Sequence, residues 1–230
     1  MLKKALCVAA MCLALAGVSL RADTLVLGEP PKTGNCDPFG CPTFFGLGTY
    51  QQVYLSSAFP GAISIDDLTF AQAINNGGVP ASGTFTLTFS YTSAMPGDLD
   101  LTNAANNVGS GSEGFFTGTL PALTAEGPLD LLTFAGTPFV YNPADGNLLL
   151  TVTVTGSTNS RPYLYLDEAG STAVTSDAYF GPVNGGNDPG LVTSFEYTAP
   201  DRKNTPEPGS LLLVLAGIGL IGYQGRRRLS

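Results

Sequence analysis

Thr84-Phe85-Thr86-Leu87-Thr88-Phe89-Ser90-Tyr91-Thr92 sets Phe85, Leu87, Phe89 and Tyr91 on one side of an extended chain and hydroxyl residues on the other. Strict period-two alternation of this kind predicts a half-buried antiparallel strand, apolar side inward. Leu148-Leu149-Leu150-Thr151-Val152-Thr153-Val154-Thr155 repeats the design, with Leu148, Leu150, Val152 and Val154 inward. Thr and Val both suit a pleated, half-buried surface.

Working outward, the pattern predicts further strands over Gln51 to Ser56, Gly61 to Phe70, Gly114 to Leu120, Leu129 to Phe134, Arg161 to Leu166, Ala173 to Phe180 and Leu191 to Thr198. In Gly61 to Phe70 the apolar parity changes, from Ile63 and Ile65 to Leu68 and Phe70. A bulge at Asp66-Asp67 would keep both pairs on the core face. Turn chemistry fills the gaps: Asn76-Gly77-Gly78, Pro96-Gly97, Ala144-Asp145-Gly146, Asn184-Gly185-Gly186 and Asp188-Pro189-Gly190. About nine short strands so punctuated predict an all-β fold, an antiparallel β-sandwich with one core, or a jelly-roll-like closure of the same strands.

Composition agrees. Gly (29) and Pro (17) make a fifth of the 230 residues, a balance suited to short strands and turns, while charged residues are only 12%. The net charge of −8 conceals a segregation, because between Asp23 and Thr205 stand four basic residues (Lys32, Arg161, Arg202, Lys203) against 17 acidic ones. That segment therefore carries −13, which excludes nucleic acid as a partner, since phosphate binding relies on clustered Lys and Arg.

Residues 1–22 have the parts of a secretory signal helix: Lys3-Lys4, an apolar stretch from Ala5 to Val18, and small residues before a cut after Ala22 or after Ser19. The stretch, about 14 residues, is short of the roughly 20 that a spanning helix needs. Export leaves Cys36 and Cys41 as the cysteines of the mature part, in Cys36-Asp37-Pro38-Phe39-Gly40-Cys41. In an oxidising compartment this pair predicts a local disulfide across a Pro-Gly turn. The domain plan is a signal over 1–22, an exported β domain over 23–200, a linker over 201–205 and a tail over 206–230.

In the tail, Thr205-Pro206-Glu207-Pro208 precedes the apolar run Leu211 to Tyr223, which ends at Arg226-Arg227-Arg228. As a helix the run is about 20 Å long, against a hydrocarbon core of about 30 Å. The three Arg would hold its end on the cytoplasmic side. A marginal, oriented helix after a Pro-bounded motif suits a segment held briefly in the inner membrane and then removed. Pro206, Glu207 and Pro208, the short apolar helix and Arg226, Arg227 and Arg228 together resemble the PEP-CTERM sorting signal of exopolysaccharide-producing bacteria. The resemblance implies recognition by an exosortase, loss of the tail, and transfer to the envelope or extracellular matrix of a Gram-negative-type bacterium. Pro206 to Pro208 are then substrate residues of another enzyme. Tyr50-Gln51-Gln52-Val53-Tyr54 and Gly136 to Leu150 also resemble segments of exported domains that carry such tails.

With no His in the chain, His-dependent triads, the usual zinc sites and the pH-7 proton shuttle are excluded. Catalysis would rest on carboxylates, of which Asp66-Asp67, Asp98-Leu99-Asp100 and Asp167-Glu168 are the clusters, and paired acids can cleave glycosides. Solvated turn residues are the commoner use of such acids, so the expected protein is not an enzyme and has no cofactor. Asp66, Asp67, Asp98 and Asp100 have the oxygen chemistry for Ca²⁺, an expectation ranked below plain surface charge. In Arg161 to Leu166, Tyr163 and Tyr165 share one face and Leu164 and Leu166 the other, so a buried Leu face would leave a tyrosine platform for sugars. The expected role is structural or interactive within an exopolysaccharide matrix, with carbohydrate or calcium binding as the alternative.

Overall fold

In a computed structural model the described residues are 22–28, 33–41, 48–126, 129–158, 161–182 and 184–199. They belong to one unit, Arg21–Pro200. The expected signal helix, linker, sorting motif, apolar helix over 211–223 and Arg cluster lie outside the described residues. Among the described residues no helix is long and apolar enough to cross a membrane.

The alternating segments become thirteen strands: β1 (Asp23–Leu27), β2 (Thr33–Asn35), β3 (Thr49–Tyr54), β4 (Ile63–Ala71), β5 (Ser82–Thr92), β6 (Glu113–Gly118), β7 (Thr124–Glu126), β8 (Leu129–Tyr141), β9 (Asn147–Thr158), β10 (Leu166–Glu168), β11 (Thr175–Phe180), β12 (Gly185–Pro189) and β13 (Thr193–Thr198). One sheet runs β1-β13-β4-β8-β7 and the other β12-β11-β3-β9-β5-β6, with β2 and β10 forming a separate pair. All ladders are antiparallel and neither sheet closes into a barrel. The fold is the predicted all-β sandwich.

The core lies between the two sheets, where Ile65, Leu68, Phe70, Phe134 and Phe195 meet Phe85, Leu87, Phe89, Leu150 and Val152. Ring contacts cross the gap, Phe89 to Phe139 at 5.2 Å and Tyr54 to Phe195 at 5.1 Å. Each fully buried aromatic or aliphatic side chain contributes roughly 1.5–3 kcal/mol of transfer free energy. The parity change in β4 is resolved by an irregular register between Ile65 and Asp67 against β8. Ile63, Ile65, Leu68 and Phe70 are consequently all buried.

Three differences from the sequence reading have physical causes. Part of the outer face of the second sheet is also covered, because the connection between β5 and β6 folds over it and packs Leu99 against Val53, Leu149 and Ala178, while Thr153 and Thr155 further along β9 stay exposed. Gln51 secures that cover, donating to the Ala104 carbonyl at 3.0 Å and accepting from Asn107 at 2.9 Å. A strand buried on both faces needs apolar residues on both, which accounts for the unbroken Leu148-Leu149-Leu150.

The second difference is the Arg161 to Leu166 segment, which is a ladder strand only from Leu166 onward. Before that it is held by single bonds, Val79 N–H to the Pro162 carbonyl at 3.1 Å and Ala73 N–H to the Tyr165 carbonyl at 2.8 Å. Third, the glycine-rich stretch from Asn184 to Gly190 is largely strand β12, where turns were predicted. Its register against β11 slips between Asp177 and Ala178, and Asn187 takes the left-handed conformation at φ 62°.

Candidate functional site

The site is built at the end of the sandwich where the β2–β10 pair meets β11 and β12. The predicted disulfide joins Cys36 and Cys41, with Cα atoms 5.3 Å apart. Inside this ring Gly40 and Cys41 both donate to the Cys36 carbonyl, at 2.6 and 3.0 Å, and Asn35 Oδ1 accepts the Asp37 N–H at 2.9 Å. The ring drives Phe39 into the core, where its centroid lies 5.1 Å from Phe70, 6.0 Å from Phe85 and 5.1 Å from Phe134. Gly40 is needed there because a Cβ would collide with the Leu164 carbonyl. One face of the loop thus anchors in the core, and the other carries Asp37 to the surface side.

Opposite stands the Arg161 to Leu166 segment. Leu164 and Leu166 are fully buried, while Tyr163 and Tyr165 are half-buried on the other side. The predicted division into a Leu face and a Tyr face is present, although only its end is ladder strand. Strand β11 adds Asp177 and Tyr179, both on the side that faces β2 and β10. Tyr179 can lie across β12 because Gly185 has no side chain, since a Cβ there would strike the phenol.

Together these residues line a pocket of about 420 Å³ with three tyrosines (Tyr163, Tyr165, Tyr179), four acids (Asp37, Glu168, Asp177, Asp188), Asn35 and the disulfide itself. Charge in the pocket is one-sided. Burial pushes the Asp37 carboxyl up to about 6. Asp177, 3% exposed, is pushed well above the usual carboxylate range, first by burial and then by the neighbouring Asp188, Glu168 and Asp37, with the nearby Tyr50 hydroxyl working the other way. Asn35 Nδ2 donates to Asp177 Oδ2 at a long 3.5 Å. At the rim the Arg161 guanidinium lies 4.9 Å from the Tyr163 ring centroid, a cation–π arrangement.

Behind the pocket the two sheets are joined by a buried polar seam. Gln52, paired in register with Asp177, donates through Nε2 to the Leu191 carbonyl at 2.7 Å and to Thr175 Oγ1 at 3.0 Å. Its Oε1 accepts from the Tyr50 hydroxyl at 2.6 Å and from the Leu191 N–H at 3.0 Å. Burial, with Asp177 nearby, raises the Tyr50 hydroxyl well above its ordinary value.

The sequence-predicted acids fall elsewhere. Asp66 and Asp67 sit at the irregular step of β4 in the first sheet, and Ser64 Oγ donates to Asp66 at 3.4 Å. Asp98 is exposed and Asp100 part-buried in the loop over the second sheet, so the structure does not bring the two pairs together. The Asp100 carboxylate is spent on its own turn, accepting from Thr102 Oγ1 at 2.5 Å, Thr102 N–H and Asn106 Nδ2 at 2.7 Å and Asn103 N–H at 3.3 Å. These donors hold it down at about 2, the Thr102 and Asn106 side chains first. Among the described residues no three acidic, His or Cys side chains are grouped where they could share a metal ion.

Sequence reasoning reached Tyr163, Tyr165, Glu168 and the disulfide, but missed Asp37, Asp177, Tyr179 and Asp188 as members of one site. The one available signal was Gly185-Gly186 beside a strand bearing Tyr179, since adjacent glycines mark a close approach as well as a turn.

Comparison with curated proteins and with solved structures finds no match to the chain. A family model does match at the C-terminus, that of the PEP-CTERM protein-sorting motif, over residues 204–228. The chain carries a PEP-CTERM sorting motif and is an exported protein of the kind that exosortase processes for the cell envelope.

Proposed function

We propose that this protein is a non-catalytic component of the exopolysaccharide matrix, released into it after transient anchoring through residues 211–223, and that its β domain holds a saccharide in the tyrosine-lined pocket. The observation that carries this reading is the convergence of Tyr163, Tyr165 and Tyr179 on one concavity of about 420 Å³. A phenol ring offers an apolar face to sugar C–H groups and a hydroxyl to sugar oxygens, and a few polar groups in a largely preformed cleft fix orientation. The acids on the pocket supply acceptors for sugar hydroxyls.

Calorimetric titration of the full-length chain in mild detergent with a panel of neutral, acidic and amino-sugar oligomers tests the pocket. Binding that is lost in Tyr163→Ala and Tyr165→Ala is expected, and silence across the whole panel would remove the reading. Sorting is tested separately by deleting residues 206–230 and fractionating cells. Unchanged size and location relative to the full chain would sink it.

A further inference from the structure

We propose that the Cys36–Cys41 disulfide is a site of thiol–disulfide exchange as well as a cross-link: a low-molecular-weight thiol entering the pocket attacks Cys36 Sγ, and Asp37 hands a proton to Cys41 Sγ as that sulfur leaves. The proposal is independent of the saccharide reading, and no sugar enters its test.

The two sulfurs stand in unlike places. Both cysteines line the pocket of about 420 Å³, but Cys36 is part-exposed while Cys41 is fully buried. A nucleophile arriving from solvent reaches Cys36, which makes Cys41 the leaving group, since exchange follows access to the sulfur attacked. A thiolate left at a buried position has lost its hydration, which penalises the charged form. Asp37 stands where that charge would form, its Oδ1 3.5 Å from Cys41 Sγ. Its carboxyl is 7% exposed, and burial pushes it up to about 6, so it gives and takes a proton nearer neutral pH than an ordinary aspartate does. A cross-link that served only to seat Phe39 would gain nothing from an acid buried against one of its sulfurs, because burying a carboxyl costs free energy. The cavity also brings Glu168 on β10, Asp177 on β11 and Asp188 on β12 to the same wall, with Arg161 beside Tyr163 at the rim. These groups form a background that Asp37→Asn leaves in place.

The step balances with thiols alone. The attacking thiolate bonds to Cys36 Sγ, the disulfide bond breaks, and its electron pair goes to Cys41 Sγ, which Asp37 protonates before recovering a proton from solvent. A second thiolate then attacks the outer sulfur of the mixed disulfide and expels Cys36 as a thiolate, which solvent protonates. Two thiols have become one disulfide, and Cys36 and Cys41 hold the two electrons and two protons given up.

The test follows reduction by glutathione, without denaturant, of the full-length chain carrying Cys7→Ser and Cys12→Ser, which leaves Cys36 and Cys41 as its cysteines. The rate constant per glutathione thiolate should rise as pH falls through about 6 and level off below it. In Asp37→Asn it should be flat with pH and lower by roughly tenfold on the acid side, short of the 10²–10⁴ of general acid catalysis because a thiolate leaves readily. The circular dichroism spectrum should not change. After quenching with an alkylating agent in denaturant, tandem mass spectrometry of the mixed disulfide should place glutathione on Cys36 and the alkyl group on Cys41. A folded protein with a surface cysteine, too large for the cavity, should react more slowly than glutathione.

Glutathione on Cys41 would overturn the order of attack, and a pH profile shared by wild type and Asp37→Asn would overturn the proton transfer. A faster reaction with the folded protein thiol would overturn the assignment to a small thiol. A disulfide that resists glutathione until the domain unfolds would overturn the exchange site altogether and leave a plain cross-link.

Discussion

The side-chain amide of Gln52 makes paired hydrogen bonds with the backbone of Leu191, donating to its carbonyl at 2.7 Å and accepting its N–H at 3.0 Å. Both residues are fully buried, so the pair ties strand β3 to the connection between β12 and β13, beside the Tyr54–Thr193 hydroxyl pair at 2.8 Å that links the two sheets. Gln52→Leu would leave the Leu191 N–H and carbonyl and the Tyr50 hydroxyl without these partners inside the protein. The Leu191 carbonyl keeps the Thr193 hydroxyl as a donor at 3.0 Å, so two groups are stranded and the expected destabilisation is roughly 2–6 kcal/mol, at about 1–3 kcal/mol for each buried group left unpaired. Guanidinium unfolding measures it, and a midpoint unchanged from wild type would show that the seam is not structural.

The disulfide ring and the phenylalanine within it make separable contributions. Replacing Cys36 and Cys41 by Ser should cost about 2 kcal/mol, the entropy of a short ring. Phe39→Ala empties a site between Phe70, Phe85 and Phe134 and should cost more, about 3–5 kcal/mol. Denaturant titration of both variants gives the order. A costlier disulfide would mean that the ring, and not the side chain it inserts, holds the loop down.

Acid and neutral pH act on two aspartates with opposite sign. Burial pushes the Asp37 carboxyl up from its ordinary 3.8 to about 6, so the folded state holds its proton more tightly. Its contribution is full below pH 4 and is lost as pH rises to about 6. Asp37→Asn should therefore raise stability at pH 7 by on the order of 1–3 kcal/mol and flatten the profile between pH 4 and 6. Asp100, held at about 2, contributes above its ordinary value and loses that contribution as pH falls from about 4 to 2. Thermal melts of Asp37→Asn and Asp100→Ala across pH 2–8 check both. An Asp37→Asn profile parallel to wild type would show that Asp37 ionises without hindrance.

Gly40→Ala and Gly114→Ala form a matched pair. A Cβ on Gly40 collides with the Leu164 carbonyl and comes within 3.1 Å of the Cys36 carbonyl, whereas one on Gly114 meets nothing within 4 Å. Gly114→Ala should lie within about 0.5 kcal/mol of wild type, as surface changes usually do. Gly40→Ala should be destabilised by about 3 kcal/mol or more, the range of core strain and overpacking. Thermal denaturation of the two decides, and equal melting temperatures would contradict the close approach.

What the sequence made legible follows from where the information is local. The alternation from Thr84 to Thr92 is satisfied by a single strand, and the parity change at Asp66 can be repaired only in place, so both were readable. Leu164 and Tyr165 were sorted correctly to opposite faces although the ladder hardly includes them, because side-chain alternation belongs to extended backbone with or without a partner strand. Strand β2 has three residues and β12 consists of turn formers, so neither carries a periodic signal. The pocket joins Asp37 to Asp177 and Asp188, far apart in the chain, through the register of β11 and the placing of the β2–β10 pair, and nothing local encodes that meeting.

Strand β12 is an outer strand of the second sheet, and its residues make it a poor template for polymerisation. Gly186 and Asn187 have positive φ, Asp188 is exposed, and Pro189 has no N–H to offer. An approaching strand from another copy meets a bent edge, a negative charge and a missing donor, the devices that discourage edge-to-edge aggregation. The stretch that gives Tyr179 room therefore also lets an exported protein be crowded among its own copies without its pocket-bearing edge being extended into a fibre.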